Sequence, residues 1–248
     1  MAGIATADGD DSMKWLLLLL KGAKLGKVLT TGGTMLISVF AYALVFGWWY
    51  AVGFVLLIFV HEMGHFVAAR QRGLDVGAPT FIPFVGAWVE LKSLPHDAET
   101  EAYVGMAGPV AGTVGALFCW WLAHQFDSVL LLALAYSGFF LNLFNLIPLS
   151  PFDGGRITAV LSPRIWLLGV PILIALFLWR PSPLLVLMAL LAAPQVMTAL
   201  RGPQSPEEMA YYSVPAETRR VYALNYLALA AFLAVMTHEV YSELPKAL

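Results

Sequence analysis

The sequence predicts an all-α polytopic membrane protein with about six to seven transmembrane helices. Of its 248 residues, 60% are hydrophobic and only 12% are charged. A typical soluble domain has about 25% charged residues, so too few ionic groups remain here to cover the surface of a soluble globule. In addition, several stretches without any charged residue approach or exceed the roughly 20 residues that a membrane-spanning helix needs.

The composition also excludes several functional classes. The mean hydropathy of +0.77 excludes a disordered chain, because disorder requires low hydrophobicity and high charge. A formal net charge of −2 provides no positive field for nucleic acid. The single cysteine, Cys119, excludes an internal disulfide framework and a multi-cysteine metal site. The partner that the composition does predict is the lipid bilayer.

The predicted spans follow the intervals between charged residues. The first charge-free interval, residues 28–61, is too long for one helix, and we divide it near Gly47, where a glycine and an aromatic cluster suit a turn at the membrane interface. Because only residues 180–183 separate the fifth span from the sixth, these two are expected to form a hairpin of short helices that does not fully cross the membrane. The predicted spans are 29–47, 50–70, 103–123, 128–147, 165–180, 182–200 and 221–239.

The polar segments complete the predicted domain organisation. Residues 1–27 are a polar N-terminus with an amphipathic helix on the membrane surface, 28–200 a membrane-embedded domain, and 201–248 a cytoplasmic polar segment with a C-terminal transmembrane helix. A cytoplasmic N-terminus leaves only Arg180 and Lys246 of the 14 basic residues outside, so 12 lie inside, as the positive-inside rule requires. The lack of a transit peptide favours a bacterial inner membrane over an organelle membrane.

The second span contains the motif HExxH, which predicts a metal site. His61 and His65 are four residues apart and therefore share one face of a helix, where both imidazoles can bind one Zn²⁺. Glu62 projects beside them as a general base for a zinc-bound water. A short motif can match by chance, but an ionisable group in an otherwise uncharged span is costly and usually functional. Gly64 leaves the helix surface bare, so that a substrate or another helix can come close.

Catalytic zinc usually takes three protein ligands, and Asp153 is the candidate for the third. It follows a charge-free stretch in which Pro148 and Pro151 break the helix, so it lies on irregular chain at membrane depth. Two alternatives stay open from the residues alone: Asp153 could cap the following helix, or it could pair with Arg156. The three remaining histidines are poorer candidates because they lie in a polar loop or near span ends: His96, His124 and His238.

Together, the two motifs resemble those of the site-2 protease family of intramembrane zinc metalloproteases. HExxH in a span is followed about ninety residues later by NxxPxxxxDG, which starts at Asn145 and ends in Asp153-Gly154. The resemblance covers roughly residues 50–160 and implies a three-helix catalytic core. It also implies one Zn²⁺ per chain, held by His61, His65 and Asp153, with Glu62 activating water and Asn145 contacting substrate.

Two further segments resemble parts of that family. Residues 81–89 resemble a short hairpin at the membrane edge, where Phe84 and Gly86 are candidate substrate-binding residues; a plain re-entrant loop is the alternative. Residues 107–112 resemble the family's GPxxN segment, with Gly112 in place of its Asn. Because the glycines of this region share one helical face, close helix packing is the preferred interpretation. No interior loop is long enough for a PDZ-like or CBS domain, so a compact member is expected.

The predicted function is hydrolysis of peptide bonds in or near transmembrane segments, either in regulated intramembrane proteolysis or in signal-peptide clearance. The substrate is then a transmembrane protein, and the oligomeric state is left open, a homo-oligomer included. Asn142, one turn before Asn145, either assists with substrate or forms an interhelical hydrogen bond. Two other functions compete with proteolysis: a membrane metal transporter, whose further ligands the later spans do not offer, and a catalytically inactive scaffold.

Overall fold

The computed structural model describes residues 29–245, and these form nine α-helices, one 3₁₀ helix and a two-stranded sheet. The interfacial helix predicted within residues 1–27 lies outside the described residues. In the described part, the first helix, α1, covers Leu29–Phe46. The helices that follow are α2 (Trp48–Gln71), α3 (Ala98–Gln125), α4 (Val129–Asn145), α5 (Asp153–Ala159), a 3₁₀ helix (Pro163–Leu168), α6 (Gly169–Trp179), α7 (Pro183–Arg201), α8 (Pro206–Tyr211) and α9 (Ala216–Glu243).

Seven apolar helical segments occupy the positions of the seven predicted spans, which confirms the predicted fold class. Five helices are long and apolar enough to cross a membrane, namely α1, α2, α3, α7 and α9. Two shorter apolar segments, Val129–Asn145 and Pro163–Trp179, correspond to the fourth and fifth predicted spans. The chain is therefore an integral membrane protein.

Local chemistry explains where the helices begin and end. α1 and α2 are separated at Gly47, whose positive φ of 86° suits a residue without a side chain. α3 starts at Ala98, five residues before the predicted span, because the Asp97 side chain accepts a hydrogen bond from the Thr100 N–H at 2.6 Å and caps the helix. α7 differs from the prediction of a short helix, since Ser182 caps it, Pro183 starts it, and it runs for 19 residues.

The segment near residues 81–89 is a β-hairpin rather than a plain re-entrant loop. Strand β1 (Val76–Ile82) pairs antiparallel with β2 (Gly86–Leu91), and Ile82 lies opposite Gly86. The strands are seven and six residues long. Pro83 lies in the connecting turn, where its missing N–H removes no hydrogen bond between the strands.

The core of the fold joins α2, α3 and α4, with α5 packed against α3 and α9 packed against α4. One buried cluster brings together residues of four helices: Ala116 of α3, Phe139 of α4, Ile157 of α5 and Leu233 of α9. The short helix α5, which begins with Asp153, is thus held inside the protein. This packing brings Asp153 to the level of the two histidines on α2.

Candidate metal centre and substrate cavity

The three predicted metal ligands come together in the interior of the protein. His61 and His65 on α2 and Asp153 at the start of α5 are all buried, with 3%, 5% and 8% of their surfaces exposed. Their ligand atoms lie within 4.8 Å of one another. Asp153 is about ninety residues away in the sequence, so packing of α5 against α3, which itself packs on α2, is what completes this group.

The spacing of the three groups fits a zinc ion. The Nε2 atoms of His61 and His65 lie 3.0 and 3.1 Å from the two carboxylate oxygens of Asp153, and 3.1 Å from each other. Ligand atoms around a tetrahedral zinc with ordinary bond lengths are about 3.3 Å apart. Two imidazoles and one carboxylate are also a donor set that zinc accepts with a fourth position left open. Both carboxylate oxygens of Asp153 face the two histidines. Among the described residues, Asp153 forms no ion pair with Arg156, which was the alternative partner.

Each histidine is oriented by a hydrogen bond on the far side of its ring. The Nδ1–H of His61 donates to Oδ1 of Asn142 at 2.8 Å, and the Nδ1–H of His65 donates to the Val104 carbonyl at 2.7 Å. Because the acceptors are oxygens, each ring keeps its proton on Nδ1, and the Nε2 lone pair faces the metal position. Asn142 in turn donates from Nδ2 to the Gly138 carbonyl at 2.7 Å, which fixes the orientation of its amide.

Glycines of α3 make room for these side chains. A Cβ atom at Gly108 would overlap the His65 imidazole, and one at Gly112 would overlap the Asn142 amide. On α2, a Cβ at Gly64 would overlap the Ala107 carbonyl, so α3 is the element that approaches the bare surface there. The glycine face predicted for helix packing thus also accommodates one ligand and the partner of another.

Gly154 and Gly155 lie in close contact with the loop that precedes Asp153. A Cβ at Gly154 would overlap the carbonyl oxygens of Leu146 and Ile147, and one at Gly155 would lie 2.6 Å from the Leu149 carbonyl carbon. Both glycines are helical residues of α5. Their role in this structure is close packing of α5 against the loop that leads to it, and Asp153 is held in place as a result.

A cavity of about 470 Å³ opens beside the metal position. Glu62, only 6% exposed, is part of its wall. The structure brings the predicted site residues together here, with one exception. The predicted residues that line the cavity are His61, Glu62, His65, Phe84, Gly86, Asn145 and Asp153. Asn142 is not among the lining residues, because it lies behind His61 with 1% of its surface exposed.

The hairpin turn closes one side of this cavity. Phe84 has an unusual positive φ of 62°, and its N–H donates to the Tyr42 hydroxyl at 3.1 Å. The two aromatic rings also pack, with centroids 4.9 Å apart. Tyr42 therefore attaches the turn to α1.

Several residues of the cavity wall were not predicted as site residues from the sequence. They are Tyr42 on α1, Arg156 on α5, and three apolar residues of α7: Leu184, Met188 and Leu191. Arg156 had a usable signal, because it is three residues after Asp153 and projects from the same face of a helix. The α7 residues had none, since apolar side chains that face a cavity and apolar side chains that face lipid look alike in a sequence.

Comparisons with known proteins confirm the resemblance to the site-2 protease family that the two motifs indicated. The model of peptidase family M50 matches residues 49–129. A zinc metalloprotease of Methanocaldococcus jannaschii is 32% identical over 124 residues, which are 46% of this chain and 36% of that protein. The solved structure of a site-2 protease from the same organism covers 73% of this chain and 87% of its own, at 20% identity and a TM-score of 0.45. The chain thus matches about a third of the length of the curated relative.

Proposed function

We propose, from the match of residues 49–129 to peptidase family M50, that this protein is an intramembrane zinc metalloendopeptidase. Its substrates are membrane proteins, which it hydrolyses in or near their transmembrane segments. One observation carries this proposal: the buried triad of His61, His65 and Asp153 lies beside Glu62 in a cavity between apolar helices. The zinc metalloprotease of M. jannaschii supports the choice of metal.

The residues of the cavity have distinct roles in this reaction. When bound by His61, His65 and Asp153, zinc lowers the pKa of water and polarises a carbonyl oxygen. Glu62 accepts the proton of the attacking water and passes it to the amine that leaves. Asn145, in the cavity wall at the end of α4, donates a hydrogen bond to the substrate backbone.

The β-hairpin is the proposed docking element for an unwound substrate. A peptide bond within a membrane helix is shielded by the hydrogen bonds of the helix, so the substrate must be extended before it is cut. Strand β2 pairs only with β1 among the described residues, and Gly86, Ala87 and Val89 of β2 line the cavity. An extended substrate can therefore add as a strand beside β2. The backbone hydrogen bonds gained there replace those that the substrate helix loses.

The location proposed for this chemistry is a bacterial inner membrane, with the N-terminus in the cytoplasm. The distribution of the basic residues, 12 of 14 on one side with Arg180 and Lys246 as the exceptions, supports this orientation. Residues 28–200 then form the protease domain. Residues 201–248 add a cytoplasmic segment and the last transmembrane helix, α9, which packs against α4.

The test compares wild-type protein with Glu62→Gln, using cleavage of a membrane-anchored reporter in detergent. The wild type should cleave and contain about one zinc per chain, whereas Glu62→Gln should keep its zinc and lose cleavage by several orders of magnitude. Glu207→Gln, on the exposed surface of α8, is the matched control and should cleave normally. Cleavage by Glu62→Gln at the wild-type rate would disprove the assigned mechanism. Zinc transport into vesicles without cleavage would favour a transporter instead.

A further inference from the structure

Arg156 is the one lysine or arginine among the described residues that line the cavity. It is three residues after Asp153 on α5, so both side chains project from the same face of that helix. Its stem packs on α3 at Gly105, where an added Cβ would lie 3.0 Å from the Cβ of Arg156. The positive charge is thus built into the wall beside the metal position.

The guanidinium of Arg156 has unused hydrogen-bonding capacity. Its Nη2 atom is buried and has no hydrogen-bond partner among the described residues. Asp153 does not use it, because its two oxygens face His61 and His65 at 3.0 and 3.1 Å. Unpartnered buried donors are rare in folded proteins, and each one calls for an explanation.

Two other carboxylates, those of Glu101 and Glu62, feel the charge of Arg156 without forming an ion pair with it among the described residues. Glu101 on α3 accepts a hydrogen bond from the Tyr211 hydroxyl at 2.6 Å. Burial first, and then the Glu101 carboxylate, raises the pKa of Tyr211, so this hydroxyl stays protonated and continues to donate. Glu62 interacts electrostatically with Arg156, but no ion pair between the two occurs among the described residues. Arg156 therefore contributes to the cavity wall a guanidinium whose Nη2 atom has no acceptor among the described residues.

The chemistry of the cavity defines the ligand that would fit it. A guanidinium binds carboxylates best, through two parallel hydrogen bonds. The rest of the wall is mostly apolar, with Phe54, Phe144 and Met188 among its residues, so the body of the ligand must be apolar too. An apolar peptide with a free C-terminal carboxylate satisfies both requirements. Peptide hydrolysis makes such a product: the oxygen of water bonds to the carbonyl carbon, the C–N bond breaks, and the amine leaves with a proton.

We propose that Arg156 forms a carboxylate subsite that binds the new C-terminus of the fragment left by cleavage. This inference rests on the proposed function, because that reaction supplies the carboxylate. Arg156 holds this fragment after the other product, which carries the new N-terminal amine, has left. Apolar peptides with a free C-terminus are then product inhibitors, and their amides are not.

The experiment measures binding of acetylated tetraleucine, as the free acid and as the C-terminal amide, to zinc-loaded protein in detergent. Wild type should bind the acid more tightly than the amide. In Arg156→Gln, the acid-to-amide affinity ratio should fall on the order of tenfold, with amide binding little changed, since a charged hydrogen bond is lost. Arg156→Lys should keep part of the ratio, because it retains the charge but not the planar fork. Zinc also attracts carboxylates, so the variants are compared at equal zinc content.

The matched control is Arg164→Gln, on the exposed side of the 3₁₀ helix, which should keep the wild-type ratio. An acid-to-amide affinity ratio of one in the wild-type protein would overturn the proposed carboxylate subsite. So would an Arg156→Gln protein with full zinc content and an unchanged ratio. Failure of the wild type to cleave the reporter overturns the proposed function instead, and that result is independent of the acid-to-amide ratio.

Discussion

The Nδ1 atom of His61 lies 2.8 Å from Oδ1 of Asn142, across the interface between α2 and α4. The amide of Asn142 is itself held by the Gly138 carbonyl, so it presents its oxygen, not its nitrogen, to the histidine. This contact orients one metal ligand from a neighbouring helix. Partners of this kind determine which ring nitrogen faces the metal and how firmly the ring is placed.

Replacing Asn142 with Ala should therefore weaken zinc binding. We expect the affinity to fall about 10–100-fold, as for other outer partners of metal-bound histidines. Asn142→Asp should lose less, because it retains an acceptor for the His61 N–H. The measurement is a competition titration with a chelator. Asn225→Ala, on an exposed position of α9, is the control, and an unchanged affinity in Asn142→Ala would remove this role from Asn142.

Replacing Asp153 with Ala should remove one of three ligands and deplete the purified protein of zinc. His61 and His65, whose Nε2 atoms lie 3.1 Å apart in the wild type, form by themselves an incomplete donor set for catalytic zinc. Metal content by atomic absorption, with reporter cleavage measured in parallel, tests this expectation. Asp75→Ala, at an exposed position, should retain zinc and activity. Full zinc occupancy in Asp153→Ala would show that Asp153 is not a ligand.

Replacing Gly108 with Ala should displace His65 without changing any polar group. The added methyl would overlap the imidazole, and overpacking of this kind costs about 1–3 kcal/mol. We expect lower zinc affinity together with a lower melting temperature in detergent. Gly33→Ala is the control, because nothing lies within 4 Å of a Cβ at that position. If Gly108→Ala binds zinc as tightly as Gly33→Ala, the close approach of α3 does not constrain the site.

Replacing Tyr42 with Phe should loosen the hairpin turn while leaving the metal site intact. The change removes the hydroxyl that accepts the Phe84 N–H, a loss of about 0.5–1.5 kcal/mol, and keeps the aromatic packing. We expect KM for the reporter to rise a few-fold, with zinc content unchanged. Tyr241→Phe, at a position that is 63% exposed, is the control. A reduced zinc content with unchanged KM would contradict this role of Tyr42.

Much of the fold was predictable because membrane helices need long charge-free segments. The seven predicted spans agree with the observed helices to within a few residues for α1 and α2 and less well for α3 and α9. α9 starts at Ala216, five residues before its predicted span. Its first turns contain Arg219 and Arg220, which bounded the charge-free span but are part of the helix. Charge marks where a helix leaves the apolar part of the bilayer, not where its backbone hydrogen bonds begin.

The sequence by itself determined the pairing of His61 with His65, because residues four apart share a helix face whatever the rest of the fold does. Tertiary structure decided which groups those histidines meet. Asp153, Asn142 and the walls of the cavity come from other helices. Packing between membrane helices leaves little trace in hydropathy, since lipid and protein interior are equally apolar. The tertiary structure also decided that the Nη2 atom of Arg156 is buried without a hydrogen-bond partner among the described residues.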